Sequence, residues 1–292
     1  MHCFSLLPIS VIVGLLASGC GRPADTDPAL LATPEVTLDR AEASVGGAIE
    51  MNYRFFVRPG VSLPKDYTVF VHLIDADGQL MWTDDHQPDV PTSRWKAGET
   101  VGYSRTMFIP KFPYEGATDV HVGLYSPATG ERVKMDAEPI GQRKYRVASF
   151  DLQLQSDDPL VVFTEGWHDA EASGEDSNIE WRWTRKVGTL TFKNPMRDAT
   201  LFLQLDQPLA DQGAQHVDVR LGESVIDAFE LRGGKREVRT LALTKDQFGS
   251  EDTVTLTLIP DKTFVPAAIP SLQSSDFREL GVRVFRVHVQ SN

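Results

Sequence analysis

Polar and apolar residues alternate along most of this chain, and a period of two is typical of half-buried β-strands. Every second residue over 51–57 is apolar, whereas Glu50, Asn52 and Arg54 occupy the opposite face. The same period returns at 253–258, where threonine alternates with valine or leucine. Segments of this kind place one face against a core and the other in water.

The first half of the chain contains a series of such segments. Residues 67–75 are apolar on both faces, which indicates a central strand, and the Asp-Ala-Asp-Gly sequence at 75–78 predicts a turn into a strand at 79–82. Further strands are predicted at 100–109, 118–126, 131–135 and 145–155. Short strands separated by Gly and Pro turns indicate an antiparallel β-sandwich.

A second series follows the Asp-Asp-Pro sequence at 157–159, which marks a domain boundary. Its strands are predicted at 160–165, 179–193, 199–205, 215–221, 225–231, 236–243, 253–259 and 280–290. No segment shows a helical stripe, and residues 274–280 are compatible with one helical turn. The chain is therefore expected to be all-β, with two tandem antiparallel β-sandwiches, Ig-like or jelly-roll-like.

The last predicted strand changes phase. Val282 and Val284 share one face, whereas Phe285, Val287 and Val289 share the other. This shift predicts either a β-bulge near Val284 or burial of both faces.

The first twenty residues contain no Asp, Glu, Lys or Arg, and an apolar run covers 4–17. This run is too short to span a bilayer comfortably, so residues 1–19 are read as a secretion signal peptide. The Leu-Ala-Ser-Gly-Cys sequence at 16–20 resembles the lipobox of bacterial lipoproteins. That resemblance implies acylation of Cys20, for example with palmitate, and a membrane anchor through the N-terminal lipid. The alternative is a plain signal peptide with an incidental cysteine.

The rest of the chain divides into three parts on this basis. Residues 20–37 form the lipidated cysteine and a Pro-, Ala- and Asp-rich flexible tether, followed by sandwich domains at 38–155 and 156–292. The expected location is the cell envelope, either periplasmic or at the outer membrane. A mature chain beginning at Cys20 holds a single cysteine, which the lipid occupies, so no disulfide is expected.

Composition removes several function classes. The chain has 29 basic and 41 acidic residues, for a net charge of −12, which argues against nucleic acid as a partner. Eight acids and no Lys or Arg lie within 157–180, and a solvated loop explains them better than a cation site. No metal site is expected, because the Asp-x-Asp-Gly sequence at 75–78 falls short of a calcium loop and His72 with the Asp-Asp-His sequence at 84–86 lacks a further well-spaced zinc ligand.

Enzyme signatures are also lacking. The sequence contains no G-x-S-x-G, H-E-x-x-H or P-loop motif, so neither an enzyme nor a cofactor is expected. The paired carboxylates of a glycoside hydrolase have no characteristic sequence spacing, and a glycoside hydrolase is the least favoured of the functions considered.

Several motifs resemble a known module. The segments at 67–73, 75–78, 91–99, 123–125 and 130–132 resemble a β-sandwich module found beside bacterial membrane glycosyltransferases of the protein-mannosyltransferase type and in lipoproteins. The segments at 166–167, 181–183 and 276–281 are similar to a second such module with the pattern of carbohydrate-binding jelly rolls. The resemblance implies an envelope glycan context and supplies no catalytic residues.

The candidate ligand-binding residues combine aromatic rings with polar side chains, as sugar recognition requires. They are Trp167, His168, Asp169, Trp183, Asp276, Arg278 and Glu279. Two alternatives stay open: Trp181 and Trp183 are core anchors, and Asp276, Arg278 and Glu279 form an ion pair and a turn before the last strand.

The expected function is that of a lipid-anchored, non-catalytic envelope protein that engages glycan during polysaccharide synthesis or export. The alternative is a structural accessory subunit that docks on a membrane protein complex. An exposed aromatic cleft favours the first, and a flat apolar patch favours the second.

Overall fold

The computed structural model of the chain describes residues 30–174, 179–209 and 213–292. The predicted signal peptide (1–19), the lipobox-like sequence and Cys20 lie outside these residues, so lipidation stays a prediction. Nearly all of the regular secondary structure in the described residues is β-strand, and the four sheets form two sandwiches in tandem. The all-β prediction is confirmed. None of the helices in the described residues is long and apolar enough to cross a membrane.

The first sandwich contains eight strands. They are β1 (Ala32–Leu38), β2 (Glu42–Ser44), β3 (Ala48–Val57), β4 (Thr68–Ile74), β5 (Leu80–Thr83), β6 (Thr100–Phe108), β7 (Gly116–Tyr125) and β8 (Tyr145–Gln153). One sheet has the order β1-β3-β6 and the other has the order β2-β8-β7-β4-β5. Side chains from both sheets, including Tyr53, Phe55 and Leu124, form one buried core.

The second sandwich contains ten strands. They are β9 (Val162–Phe163), β10 (Glu171–Ala172), β11 (Glu180–Trp183), β12 (Gly188–Lys193), β13 (Ala199–Asp206), β14 (Gln215–Leu221), β15 (Ser224–Leu231), β16 (Glu237–Leu243), β17 (Thr253–Pro260) and β18 (Arg283–Ser291). The sheet orders are β10-β11-β18-β13-β16 and β15-β14-β17-β12-β9. A separate core, with Leu203, Val219 and Leu256 at its centre, lies between them.

The folded part begins earlier than the sequence indicates. Strand β1 starts at Ala32, so residues 32–37 belong to the first sandwich and not to the predicted tether (20–37). Pro34 within this strand conceals the alternation of Ala32, Pro34 and Val36, which all face the core. A proline is tolerated here because β1 is an edge strand, where a missing N–H breaks no ladder bond on the open side.

Other elements also differ from the expectation. Strand β2 pairs with β8 in parallel, an exception to the antiparallel pattern. The single strand expected at 179–193 is two strands on different sheets, β11 and β12, and the chain crosses between them at 184–187. Residues 131–135 form only an isolated bridge, between Arg132 and Tyr125. The turn expected at 274–280 is not helical, whereas a short helix, α1 (Lys245–Phe248), was not expected.

The bulge in the last strand is confirmed. Leu205 of β13 pairs with Val284, while the preceding Gln204 pairs with Arg286, so Phe285 is the extra residue. The bulge changes the phase of β18 and lets Val284 and Val289 both reach the core.

The two sandwiches touch through the outer faces of β6 and of the β13–β18 pair. The Phe108 ring packs edge-on against Phe202 with their centroids 6.1 Å apart, and the Arg286 guanidinium lies 4.7 Å from the centroid of Phe108. The buried Ala48 N–H donates to Gln290 Oε1 at 3.1 Å. Aromatic packing and a buried hydrogen bond therefore join the halves.

Candidate functional site

Trp167 lies at the end of the second sandwich, where its backbone forms an isolated β-bridge with Thr184 and its ring packs against the edge strand β9. Its ring meets Phe163 edge-on at 4.8 Å, and its indole N–H donates to the Thr189 carbonyl at 2.7 Å. The ring also lies so close to Gly188 that a Cβ there would stand 2.8 Å from it. Trp167 is half-buried and packed on several sides, which suits an anchor for the strand ends better than an open platform.

His168 and Trp183 occupy neighbouring positions in the same region. The His168 N–H donates to the Trp183 carbonyl, and the His168 ring Nε2 is 2.9 Å from the Glu279 carbonyl. Trp183 is buried, with its ring edge-on to Phe264 at 5.7 Å. This geometry agrees with the alternative in which Trp183 is a core anchor.

Asp276 and Arg278 form a charged clamp. The Arg278 guanidinium donates to both Asp276 oxygens, and its Nη1 donates to Glu171 Oε1 at 2.7 Å. These hydrogen bonds from Arg278 hold the pKa of Asp276 below its usual range. Glu279 accepts a hydrogen bond from the Thr263 hydroxyl at 2.6 Å. The clamp therefore fixes the loop before β18, which is the alternative that the sequence left open.

The structure thus brings most of the sequence-predicted residues together at one end of the second sandwich. Their polar atoms are engaged within the protein, and Asp169 is the exposed member with no side-chain partner among the described residues. Few polar atoms of this cluster are therefore free to bind a ligand.

A larger cleft lies between the sandwiches, with a volume of about 950 Å³. Its first wall includes Thr106 of β6, and its second wall includes Gln204 of β13 and Thr240 of β16. None of these three side chains forms a hydrogen bond with another described residue. Hydroxyl and amide groups that are free and partly exposed can bind a polar ligand without breaking internal contacts.

Charged side chains complete the two walls. Glu50 and Asp89 line the first wall, whereas Lys235, Arg236 and Glu237 line the second. Within the described residues, none of these five forms an ion pair. The cleft therefore presents acceptors on one side and mostly cationic donors on the other.

Paired charges lie beneath this surface. Arg105, at the first wall, donates to Asp84 at 2.8 Å. Asp206, at the second wall, accepts two hydrogen bonds from Arg283 at 2.8 and 2.7 Å, and its side chain is only 9% exposed. Arg236 stacks over Phe285 at 3.6 Å, and burial lowers its pKa from the usual arginine value. The floor of the cleft is thus preorganised by bidentate pairing and stacking.

Sequence analysis missed this cleft because its residues lie far apart along the chain. Thr106 and Thr240 occupy polar positions on the outer faces of their strands, where alternation alone predicts solvent. The sequence carries no signal that two such faces are apposed. Among the described residues, no group of three or more His, Cys, Asp or Glu side chains is placed to hold a metal ion.

No protein-family model and no curated protein matches the chain. Among solved structures, an exo-β-1,3-galactanase from Phanerochaete chrysosporium aligns with 89% of the chain and 57% of its own length, at 11% identity and a TM-score of 0.29. Carbohydrate-binding modules of the β-sandwich superfamily align over 89% and 98%, at 10% identity and 0.27. The secreted serine protease VesC from Vibrio cholerae aligns over 88% and 51%, at 9% identity and 0.25.

The chain spans less than two thirds of the galactanase and of the protease. By name, two of these three proteins act on or bind carbohydrate, and the third is a protease. At TM-scores of 0.25–0.29, these similarities indicate neither a ligand nor an activity for this chain.

Proposed function

We propose that the protein is a lipid-anchored, non-catalytic component of a bacterial cell envelope that binds polysaccharide in the cleft between its two sandwiches. The observation that carries the proposal is the cleft itself, which is polar, open and formed by both sandwiches. Binding sites occur preferentially at such interfaces between domains. A volume of about 950 Å³ has room for several sugar residues.

The lining matches the chemistry of sugar hydroxyls. Vicinal hydroxyls are bound by side chains that accept and donate at once, such as carboxylates, guanidinium groups and amides. Glu50 and Asp89 supply acceptors, Lys235 and Arg236 supply donors, and Gln204 supplies both. Because none of these charged groups is engaged in an ion pair among the described residues, a ligand gains their hydrogen bonds without displacing an internal partner.

The role in the envelope rests on the leader and on the resemblance of the modules. A predicted signal peptide (1–19) followed directly by Cys20 supports acylation of that cysteine, and the resemblance to modules found beside glycosyltransferases supports a place in polysaccharide synthesis or export. Fractionation of cells that produce the full chain tests the anchor. We expect the wild-type protein in the membrane fraction with incorporated palmitate, and a Cys20→Ser variant without palmitate. Equal labelling of both variants would contradict the anchor.

Affinity electrophoresis of the full chain in detergent tests the binding function. Gels that contain isolated envelope polysaccharides should retard the wild-type protein, and a Lys235→Ala, Thr240→Val variant should migrate closer to its position without polymer. Lys193→Ala is the matched control, because Lys193 is exposed on the opposite sheet. Unchanged mobility of the wild-type protein in every polysaccharide would refute the function.

One observation favours the accessory-subunit alternative. Phe277 is 82% exposed, although the neighbouring Asp276 and Arg278 hold its loop in a fixed conformation. A rigid, exposed aromatic side chain is typical of a binding hot spot on a protein surface. If this alternative holds, purification of the native lipoprotein should return a stoichiometric partner that a Phe277→Ser variant loses. Isolation of the wild-type protein without a partner would count against it.

A further inference from the structure

The cleft between the sandwiches has no aromatic ring among the described residues that line it. Neutral sugars usually gain affinity by stacking their C–H faces on aromatic side chains, because hydrogen bonds to their hydroxyls largely replace hydrogen bonds to water. Hydrogen bonds in which one partner is ionised are roughly twice as strong as neutral ones. A ligand of this cleft must therefore gain most of its affinity from charged groups.

The first wall of the cleft carries negative charge without a partner. Glu50 lies opposite Thr106 in the pairing of β3 with β6, so both side chains share the outer face of that sheet. Asp89 lies between β5 and β6 and lines the same wall. Arg105 is the one cation of this wall among the described residues, and its ion pair with Asp84 compensates its charge. The first wall therefore has an excess of carboxylates.

The second wall carries positive charge at the turn between β15 and β16. Lys235 and Arg236 line the cleft there. The Gly234 N–H donates to the Gln207 carbonyl at 3.1 Å, and this hydrogen bond fixes the turn that carries both cations. The Arg236 guanidinium lies 3.6 Å from the centroid of the Phe285 ring, and this stacking holds it beside the cleft.

The acidic residues of the second wall do not cancel these cations. Asp206 accepts two hydrogen bonds from Arg283, so its charge is already compensated. Glu237 lies opposite the core residue Leu205 in the pairing of β16 with β13. Paired residues point to the same side of a sheet, so the Glu237 side chain is directed to the inner side of β16. Even with Glu237 counted, the second wall keeps a positive excess.

The two walls do not neutralise each other. Within the described residues, none of Glu50, Asp89, Lys235 and Arg236 forms an ion pair, so opposite charges line one cavity without contact across it. A ligand between the walls can face each of them with the opposite charge. An ammonium group at the first wall and a carboxylate or phosphate at the second are both attracted, whereas a ligand with one kind of charge is repelled by one wall.

We propose that the cleft selects a zwitterionic polysaccharide, whose repeat carries both a free amino group and an acidic group. The amino group binds Glu50 and Asp89 on the first wall, and the acidic group binds Lys235 and Arg236 on the second. The neutral polar side chains of both walls stay available for sugar hydroxyls. This inference rests on the proposed function and narrows it to one class of polysaccharide.

Four polymers with the same glucosamine backbone test the inference. O-carboxymethyl chitosan carries both charges, its N-acetylated form carries only carboxylates, glycol chitosan carries only amines, and the N-acetylated form of glycol chitosan is neutral. Each polymer is immobilised through its reducing end, and surface plasmon resonance measures binding of the full chain in detergent. The buffer keeps amines and carboxylates ionised, and its salt screens nonspecific attraction between the amines and the net negative charge of the protein.

We expect O-carboxymethyl chitosan to bind about tenfold more tightly than each of the other three polymers, because each of these lacks at least one charge-assisted hydrogen bond. Glu50→Gln should lower the advantage over the N-acetylated, anionic form to about twofold, since Asp89 alone then binds the amine. Lys235→Gln should lower the advantage over glycol chitosan to about twofold, since Arg236 alone then binds the acidic group. Each variant should leave the other advantage unchanged.

Further variants separate a binding effect from a folding effect. Glu223→Gln and Lys193→Gln remove exposed charges at the other sheet of the second sandwich and should leave both advantages unchanged. Glu50→Lys reverses a charge of the first wall and should tighten binding of the N-acetylated, anionic polymer about threefold relative to the wild-type protein. Damage to the fold cannot produce such a gain.

The outcomes distinguish the two proposals. Equal binding of the four polymers, or binding of an envelope polysaccharide without binding of O-carboxymethyl chitosan, overturns the preference for zwitterions and leaves polysaccharide binding in place. A preference that persists in Glu50→Gln and in Lys235→Gln shows that the zwitterion binds elsewhere and overturns its assignment to the cleft. No binding of any of the four polymers, together with no binding of envelope polysaccharides, refutes the proposed function and this inference with it.

Discussion

The ion pair between Asp206 and Arg283 lies at the floor of the cleft, so its removal is the most informative perturbation of stability. The Asp206 side chain is 9% exposed, and Arg283→Ala takes away both of its hydrogen bonds from arginine, at 2.8 and 2.7 Å. Breaking a buried pair by removing one partner usually costs about 3–5 kcal/mol, because a charge is left buried without compensation.

Arg236 reduces that cost, since its guanidinium lies near enough to interact with Asp206. We therefore expect a loss of about 3 kcal/mol in the free energy of unfolding, at the lower end of that range. For a domain of this size, the loss corresponds to a decrease in Tm of roughly 6–12 °C. Urea unfolding should be followed by far-UV circular dichroism and tryptophan fluorescence, because Trp181 and Trp183 both lie beside Arg283.

Two control variants show whether the loss of stability comes from the buried ion pair. Arg54→Ala removes an exposed arginine whose carboxylate partner is 4.0 Å away, and it should change stability by about 0.5 kcal/mol or less. The double variant Asp206→Val, Arg283→Met replaces the pair by apolar groups and should recover more than half of the loss. A loss below about 1 kcal/mol for Arg283→Ala, or a double variant as unstable as the single one, would refute the reasoning.

Three further outcomes are expected. Trp95 is 4% exposed and donates to the Val90 carbonyl, so Trp95→Ala should destabilise the first sandwich by about 3–5 kcal/mol in urea unfolding, and a cost under about 1 kcal/mol would contradict its place in the core. Gly166→Ala should prevent stable folding, as judged by proteolysis, because the added Cβ would stand 1.7 Å from the Val187 carbonyl oxygen. The control Gly78→Ala has a similar positive φ but open space around the added Cβ, so it should lower the free energy of unfolding by only about 1–2 kcal/mol. Burial lowers the pKa of three histidines in the first sandwich, so the unfolded chain binds protons at these groups at a higher pH than the folded chain does. The stability that these histidines contribute is complete above about pH 6.5 and should decrease toward pH 5, with a shallower decrease in the His86→Gln variant. Stability that rises toward pH 5 would contradict this reasoning.

Much of the fold could be predicted because alternation directly reports which face of a strand is buried. Most strands, including β3, β6 and β13, lie within a few residues of their predicted positions. The phase change in β18 predicted either a bulge near Val284 or burial of both faces, and the structure has a bulge with Phe285 as the extra residue. Alternation could not separate β11 from β12. The chain crosses between the two sheets at 184–187, and the exposed residues 185–187 resemble, in the sequence, the solvent-facing positions of one continuous strand.

Two elements, helix α1 and strand β1, have local sequence features that alternation does not reveal. Helix α1 has a capping box, in which Thr244 and Gln247 satisfy each other's backbone groups, and the Thr-x-x-Gln spacing is visible in the sequence. Strand β1 was hidden by its proline, although an edge position accommodates it.

The candidate site was less predictable than the fold. The residue types were informative, since Trp167, His168, Asp276 and Arg278 do come together in space. Their partners were not, because Glu171 lies 107 positions from Arg278 and no local pattern pairs them. The cleft escaped prediction for the same reason, as it depends on how two outer sheet faces are apposed.

The central claim is that polysaccharide binds between the two sandwiches, and hydrogen exchange measures this most directly. The full chain in detergent is exchanged with and without a saturating envelope polysaccharide identified by affinity electrophoresis. We expect slower exchange on both walls of the cleft, in residues 104–106 of the first sandwich and 234–240 of the second, with no change at the β12 face. Protection confined to one sandwich or to a surface away from the cleft would contradict the claim.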